Sequence, residues 1–359
     1  MANHPEEYSM STTLIGPAPP ATPPAAVRKP ASVRKFLVRP EVGSLVGAIA
    51  VFILFFAIAP PIRSAASIAT VLYASSTVGI MAVAVALLMI GGEFDLSAGV
   101  AVTTAALTAA IFSFQLSTNV WVGVLVALVV ALGVGWVNGY LLVRTNLPSF
   151  LVTLSTLLML QGINLAVTKM ITGGVASRDI SDMAGFDQAR AIFASEIHLG
   201  SVNLKITVIW WLIFVAIATF VLLRTTIGNW IFASGGNAAG ALAVGVPVKR
   251  TKIGLFMLVG FAAWFVGMHL LFAFNTVQSG EGVGNEFLYI IAAVIGGCLL
   301  TGGYGSAIGS AIGAFIFGVT TQGIVYADWN PDWFKFFLGA TLLLATLVNT
   351  WVRRQADRR

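Results

Sequence analysis

The sequence predicts an all-α, polytopic membrane protein of about ten transmembrane helices, and three observations predict it. Of the 359 residues, 58% are hydrophobic and only 9% charged, whereas a soluble domain carries roughly a quarter charged residues to solvate its surface. The mean hydropathy is +0.92, so lipid must be the main solvent of the outer face. Apolar runs of about 20 residues, the length that crosses a hydrocarbon core ~30 Å thick, recur along the chain. The 37 glycines fit the same picture, because small residues let helix backbones approach closely inside a bilayer.

Taken in order, residues 1–42 stand apart. They are rich in Pro, Ala, Ser and Thr and end in a basic stretch from Arg28 to Arg39, which predicts a disordered tail lying near anionic headgroups. No apolar run with a cleavage site follows Met1, so a cleaved signal peptide is not expected. Spans are then expected at 43–61, 67–91, 97–115, 120–143, 150–171, 204–223, 252–273, 287–300, 306–326 and 332–352. Together 43–352 form one permease-like domain, followed by a basic tail at 353–359. The eighth span is short and runs into glycines. Cys298 is the single cysteine and reads as a small core side chain.

Loop charge orients these spans. Arg144, Arg224, Lys249, Arg250, Lys252 and the tail Arg353, Arg354, Arg358 and Arg359 mark cytoplasmic sides, since cytoplasmic loops are enriched in Lys and Arg. The loop 172–203 is acidic on balance, and 274–286 holds Glu281 and Glu286 without a basic residue; both are expected outside. Both termini then fall in the cytoplasm. Arg63, Lys205 and Lys335 are scattered charges that fit this threading poorly.

Two places interrupt the helical pattern. One runs Gly91-Gly92-Glu93-Phe94-Asp95-Leu96-Ser97-Ala98-Gly99, and the other from Gly296-Gly297 through Thr301-Gly302-Gly303-Tyr304-Gly305-Ser306 to Gly309. Each follows an Ile-Gly-Gly and precedes a small-residue helix ending Ile-Phe, a weak internal repeat. Broken helices in corresponding places are the sequence sign of a transport pathway, because irregular backbone at membrane depth survives only where protein or water satisfies it. Glu93, Asp95 and Ser97 either cap a helix at the interface or take part in gating or subunit contact, since a carboxylate deep in lipid is costly. Asn138, Gln161, Asn164 and Thr168 either line a polar path or bond between helices.

The loop from Arg224 to Lys252 contains Gly235-Gly236-Asn237-Ala238-Ala239-Gly240-Ala241-Leu242 and ends in Gly245-Val246-Pro247. Asn237 is a good N-cap, the alanines favour helix, and Gly245 with Pro247 stop it. A short loop helix with an apolar side either docks onto another protein or rests on headgroups. No Gly-x-x-x-x-Gly-Lys-Ser/Thr phosphate loop is present, so the chain does not bind ATP in that way. His4 and His198 lie outside the spans, and His269, alone within one, reads as a hydrogen-bonded core residue. No metal constellation, nucleophilic triad or nucleic-acid signal stands out, and the net charge of +6 follows the loops and ends.

The stretches from Gly91 to Gly99, Val137-Asn138-Gly139-Tyr140-Leu141-Leu142-Val143, Leu147-Pro148-Ser149-Phe150-Leu151-Val152-Thr153-Leu154, Gly235-Gly236-Asn237 and Thr301-Gly302-Gly303-Tyr304-Gly305-Ser306 occur in this order. In this the chain resembles the ribose/xylose-type permeases of bacterial ABC importers over about 43–352. The resemblance implies a cell inner membrane location and a paired permease, most simply a homodimer. It implies cytoplasmic ATP-binding subunits that carry ATP and Mg²⁺, so that this chain needs no cofactor and is not itself an enzyme. It also implies an extracytoplasmic binding protein that delivers a monosaccharide and could dock on loop 172–203. The family's coupling helix maps onto Asn237 to Pro247, although the family's Pro-Glu after the Asn is Ala238-Ala239 here and a customary Arg is Leu242. Related permeases carry branched-chain amino acids or nucleosides. An ion-coupled secondary carrier, or a membrane scaffold without transport, are the readings from other classes; the dearth of intramembrane carboxylates counts against the first, and paired broken helices oppose the second.

Overall fold

The computed structural model describes residues 40–116, 119–200 and 202–357. Residues 1–39, which hold the Pro-rich segment and the stretch Arg28 to Arg39, lie outside the described residues, as do Arg358 and Arg359. The chain is α-helical and polytopic. Helix α1 (Pro40–Ile58) is followed by α2 (Ala65–Ile90), α3 (Ala98–Leu116), α4 (Val120–Thr145) and α5 (Ser149–Thr172). After α6 (Phe186–Phe193) and a hairpin of β1 (Glu196–Leu199) and β2 (Val202–Lys205) come α7 (Ile206–Arg224), α8 (Thr226–Gly236) and α9 (Ala238–Ala243). The chain closes with α10 (Val248–Phe274), α11 (Asn285–Ile295), α12 (Ala307–Tyr326) and α13 (Phe334–Asp357).

Each of the ten expected spans falls on one helix. Eight of them, α1 to α5, α7, α10 and α12, are long and apolar enough to cross a membrane by length and composition. The eighth expected span, 287–300, is shorter than read: α11 has 11 residues, about 16 Å at the helical rise, or roughly half the hydrocarbon thickness. Helix α13 continues through Asp357, so the basic tail expected from 353 begins as helix. The small β1–β2 hairpin was not expected.

Burial ranks the helices. Within their most apolar windows α2 and α10 are each 78% buried, against 17% for α1. Helix α2 packs on α7, α10, α11 and α12, and α10 packs on α3 and α4. Glycines mediate these contacts. A Cβ on Gly135 would fall 2.4 Å from the Phe256 carbonyl oxygen, and one on Gly260 would fall 2.3 Å from that of Ala131, so α4 and α10 touch backbone to backbone.

Two of the three misplaced charges of the sequence find local reasons. Arg63 folds back on α1, its Nε donating to the Phe56 carbonyl at 2.9 Å and its Nη2 to that of Ala57 at 3.1 Å, at the negative end of the helix dipole. Lys205 pairs with Glu196 across the hairpin, and this hydrogen bond holds the Glu196 carboxyl below its ordinary range. The two acidic loops are joined: the Ser177 amide donates to the Val277 carbonyl at 2.9 Å, and the Ser279 amide to that of Val175 at 2.9 Å. Glu286 closes the second of these loops. It is buried in the first turn of α11, where its oxygens accept from the Gly284 amide at 3.1–3.2 Å. His269 Nδ1 donates to the Phe193 carbonyl at 2.8 Å, which in the neutral ring leaves Nε2 to accept from the Tyr73 hydroxyl at 3.0 Å.

Candidate functional site

The two interrupted segments have the same backbone. Helix α2 ends at Gly91 (φ −68°) and Gly92 (φ +86°); α11 ends at Gly296 (φ −66°) and Gly297 (φ +93°). In the first, the Gly92 amide donates to the Met89 carbonyl and the Glu93 amide to that of Leu88. In the second, Gly297 donates to Val294 and Cys298 to Ala293. Each is a Schellman cap, whose left-handed residue glycine adopts without Cβ strain. Each chain then restarts a helix behind a serine: the Ala101 amide bonds the Ser97 carbonyl, and the Ser310 amide that of Ser306. The Ile-Gly-Gly repeat of the sequence is thus a repeat of structure.

The two interrupted segments meet each other and the end of α8, the second through its loop 302–305. The Gly303 amide donates to the Ile90 carbonyl at 2.8 Å. A Cβ on Gly235 would lie 1.9 Å from the Ile90 oxygen and 2.7 Å from the Gly303 nitrogen. One on Gly302 would lie 2.6 Å from Gly92 Cα, and one on Gly303 2.6 Å from Gly236 Cα. Gly305 packs on Ile90 from the same loop, where a Cβ would sit 2.8 Å from the Ile90 side chain. Only glycines allow three backbones to converge this closely.

Helix α9 leaves this junction directly. Asn237 caps it, accepting from the Gly240 amide at 2.9 Å, and Gly245 (φ +85°) with Val246 closes it through bonds to the Leu242 and Ala241 carbonyls. It is six residues long. Ala238 and Ala239 form its first turn, while Leu242 at 52% and Val244 at 80% exposure turn apolar side chains outward. Pro247 then caps α10, and one turn on Lys252 pairs with Glu93. Loop 93–97 is therefore tied to the helix that follows α9.

Deeper in, Asp95 and Ser97 join a closed polar network. The Ser97 amide (2.8 Å) and hydroxyl (2.6 Å) both donate to Asp95 Oδ1. Asn138 Nδ2 donates to Ser97 Oγ at 3.0 Å, and the Thr156 hydroxyl donates to Asn138 Oδ1 at 2.6 Å. The Phe94 amide bonds Ser149 Oγ and the Leu96 amide bonds Thr153 Oγ1, each at 3.1 Å. Ser149, Thr153 and Thr156 lie on one face of α5 at i, i+4, i+7, a hydroxyl ladder that sequence reading missed although its spacing was visible. Gly99, in the first turn of α3, abuts the α11 end: a Cβ there would meet Glu286 Oε2 at 2.5 Å. Asn164 does not join: its Nδ2, like Thr168 Oγ1, is buried without a partner among the described residues.

This contrast gives a prediction. Asn138→Leu severs two bonds and is expected to lower stability by about 1–2 kcal/mol. Asn164→Leu removes an unpartnered amide and is expected to be neutral or stabilising. Thermal unfolding in one detergent reads both; a larger loss for Asn164→Leu would contradict the network.

A bundle of spanning helices with paired breaks and a projecting loop helix defines a membrane permease. The chain belongs to the family described as branched-chain amino acid transport system / permease component, which it matches over residues 67–346. It is 30% identical over 303 residues to the galactose/methyl galactoside import permease protein of Escherichia coli (strain K12), covering 81% of this chain and 88% of the relative. It is 28% identical over 293 residues to the fructose import permease protein of Rhizobium meliloti, covering 82% and 80%. It is 28% identical over 324 residues to the ribose import permease protein of Haemophilus influenzae, covering 89% and 95%. No solved structure matches the chain.

Proposed function

We propose that this chain is the membrane-crossing subunit of an ATP-driven importer for a monosaccharide, delivered by an extracytoplasmic binding protein, with ATP hydrolysed on a separate cytoplasmic subunit. The observation that carries the mechanism is the glycine junction: α9 is joined through Gly235 and Gly236 to both interrupted segments, at Gly91–Gly92 and Gly302–Gly303. In this reading α9 is the coupling helix. Its exposed Leu242 and Val244 seat in a cleft of the ATPase, an apolar contact suited to a helix that lacks charge at Ala238 and Ala239. Closure of the ATPase pair moves α9, and the junction passes that displacement to Gly92 and Gly302–Gly303. The polar network of Asp95, Ser97 and Asn138 moves with the Gly91–Gly99 segment, so the pathway between α3, α5 and α11 opens to one side at a time.

A second copy of the chain completes the pathway. Gln161 lies exposed midway along α5, and a polar side chain facing lipid at that depth is costly; a facing copy supplies it with protein or water. Both termini are cytoplasmic on this reading. The sugar reading follows the relatives' names, whereas the family's description names branched-chain amino acids.

Affinity purification of the tagged chain from its native membrane tests the assembly. Recovery of an ATPase and a sugar-binding protein is expected, with the ATPase lost when Asn237 to Pro247 is replaced by a Gly/Ser linker. Recovery of the chain alone, in detergent that preserves known importers, would return an ion-coupled carrier to first place.

A further inference from the structure

On the outer side of α2 lies a cavity of about 680 Å³ that belongs neither to the glycine junction nor to the polar network. Its floor is Val83, Ala84 and Leu87 of α2, its walls are α7 and α10, and Ile227 and Trp230 of α8 bound one end. The opposite end is closed by aromatic contacts between α7 and α10. Trp210 and Phe214 each reach Phe265 at 5.3 Å between ring centroids, and Phe214 stacks on Phe261 at 6.1 Å. The lining is apolar almost throughout. Its charged residue is Arg250, beside Thr251 at the α8 end.

A sugar finds little here to bond its hydroxyls, so the cavity is not a substrate site. Its shape suits an amphiphile. From Arg250 to Phe265 the wall formed by α10 rises through fifteen residue steps, about 22 Å at the helical rise, longer than the ~15 Å of half a hydrocarbon core. It opens sideways between two spanning helices, where Ile217 is 59% exposed, so its occupant enters from the bilayer. Arg250 is exposed and makes no hydrogen bond or ion pair among the described residues, while its neighbour Lys252 is committed to Glu93. Arg224, at the end of α7, adds a second cation three residues beyond the lining residue Val221. A second groove on α7, lined by Ile49, Phe52, Leu212, Ile312 and Phe315 among others, has no charged residue at all.

We propose that the α2–α7–α10 groove binds one anionic phospholipid, its phosphate at Arg250 and an acyl chain running between α7 and α10. The lipid then lies against α2, which ends in the glycine junction, with its headgroup end beside α8 and α10, the helices that flank α9. It braces the elements that hold α9 in place.

Native mass spectrometry of the full-length chain, released from nanodiscs of equal phosphatidylglycerol and phosphatidylcholine, tests this without reference to transport. The wild-type chain is expected to retain one phosphatidylglycerol in preference to phosphatidylcholine by about fivefold, the weight of one basic side chain at a lipid surface. Arg250→Gln is expected to erase most of that preference. Gly254 lines the groove and a Cβ there meets nothing within 4 Å, so Gly254→Phe fills the cavity without displacing backbone. It is expected to lose the retained lipid of either headgroup, whereas a bare phosphate site would be indifferent to it. Equal retention of the two lipids by the wild type, or undiminished retention by Gly254→Phe, overturns the proposal.

Discussion

Replacing Gly235 by alanine is expected to abolish solute uptake while the chain remains in the membrane. The added methyl would sit 1.9 Å from the Ile90 carbonyl oxygen and 2.7 Å from the Gly303 nitrogen. Neither atom is the end of a flexible side chain, and the two are bonded to each other. Helix α2 is buried on most sides and cannot retreat, so α8 must shift outward and take α9 with it. Overpacking of this kind costs about 1–3 kcal/mol, which a protein of this size tolerates in folding. A transporter that works by passing a small displacement through this contact does not tolerate it. Uptake is expected to fall at least about tenfold, the rate equivalent of ~1.4 kcal/mol. Gly236→Ala is the control, because its Cβ would meet Gly303 Cα at an ordinary 3.8 Å. Uptake of labelled galactose, fructose and ribose, with chain abundance measured on immunoblots, decides the matter. Normal uptake by Gly235→Ala, or equal loss in Gly236→Ala, would show that the junction carries no displacement.

What could be read in the sequence was whatever depends on local backbone chemistry. Gly92 and Gly297 declare their turns because a left-handed residue after an apolar helix is most easily glycine. Asn237 and Gly245 bracket α9 for equally local reasons. Loop charge did not account for Arg63 and Lys205, whose partners are respectively the α1 carbonyls and Glu196. The convergence of Gly92, Gly235 and Gly302 could not be read, since each glycine satisfies its own turn and nothing local states that the turns touch. The pairing of Glu93 with Lys252, 159 residues apart, was equally invisible: each charge has a sufficient reason at the membrane interface. The length of α11 was hidden for another reason. Its apolar run continues through Cys298, Leu299 and Leu300, and hydropathy does not see that Gly296 and Gly297 have already ended the helix.

The repeat also explains why the polar network lies where it does. A helix that stops at a Schellman cap and restarts within the membrane leaves free amides at its new N-terminus. In the first copy the amides of the linking loop are also taken up, those of Phe94 and Leu96 by hydroxyls of α5 and that of Ser97 by Asp95; in the second, Ser306 accepts from the Gly309 amide of the new helix. The first copy therefore depends on a neighbouring helix, α5, and the second on its own loop. Motion of α5 relative to α3 would strain only the first.

Separating the charges of Glu93 and Lys252 is the second change with a large expected effect, and exchanging them should undo it. The pair joins loop 93–97 to the first turns of α10, with 18% of the lysine side chain and 11% of the glutamate side chain exposed. Its worth lies between the ~1 kcal/mol of surface pairs and the 3–5 kcal/mol lost when a fully buried pair is broken, so about 2 kcal/mol is expected. Lys252→Met leaves Glu93 nearly buried without a counter-charge, and the loop then swings toward water, away from Asp95 and the network below it. Glu93→Gln leaves the lysine, whose long stem can reach solvent, and is expected to be the milder change. Lys252→Met is expected to reduce uptake about tenfold or more, and Glu93→Gln by a smaller factor; a coupling of this size is ordinary for residues in contact. The reversed pair, Glu93→Lys with Lys252→Glu, restores attraction across the same gap and is expected to recover most of the uptake lost in Lys252→Met. If the reversed pair transports no better than Lys252→Met, while its abundance and thermal unfolding match the wild type, then the two charges act separately and α10 does not hold the loop through them.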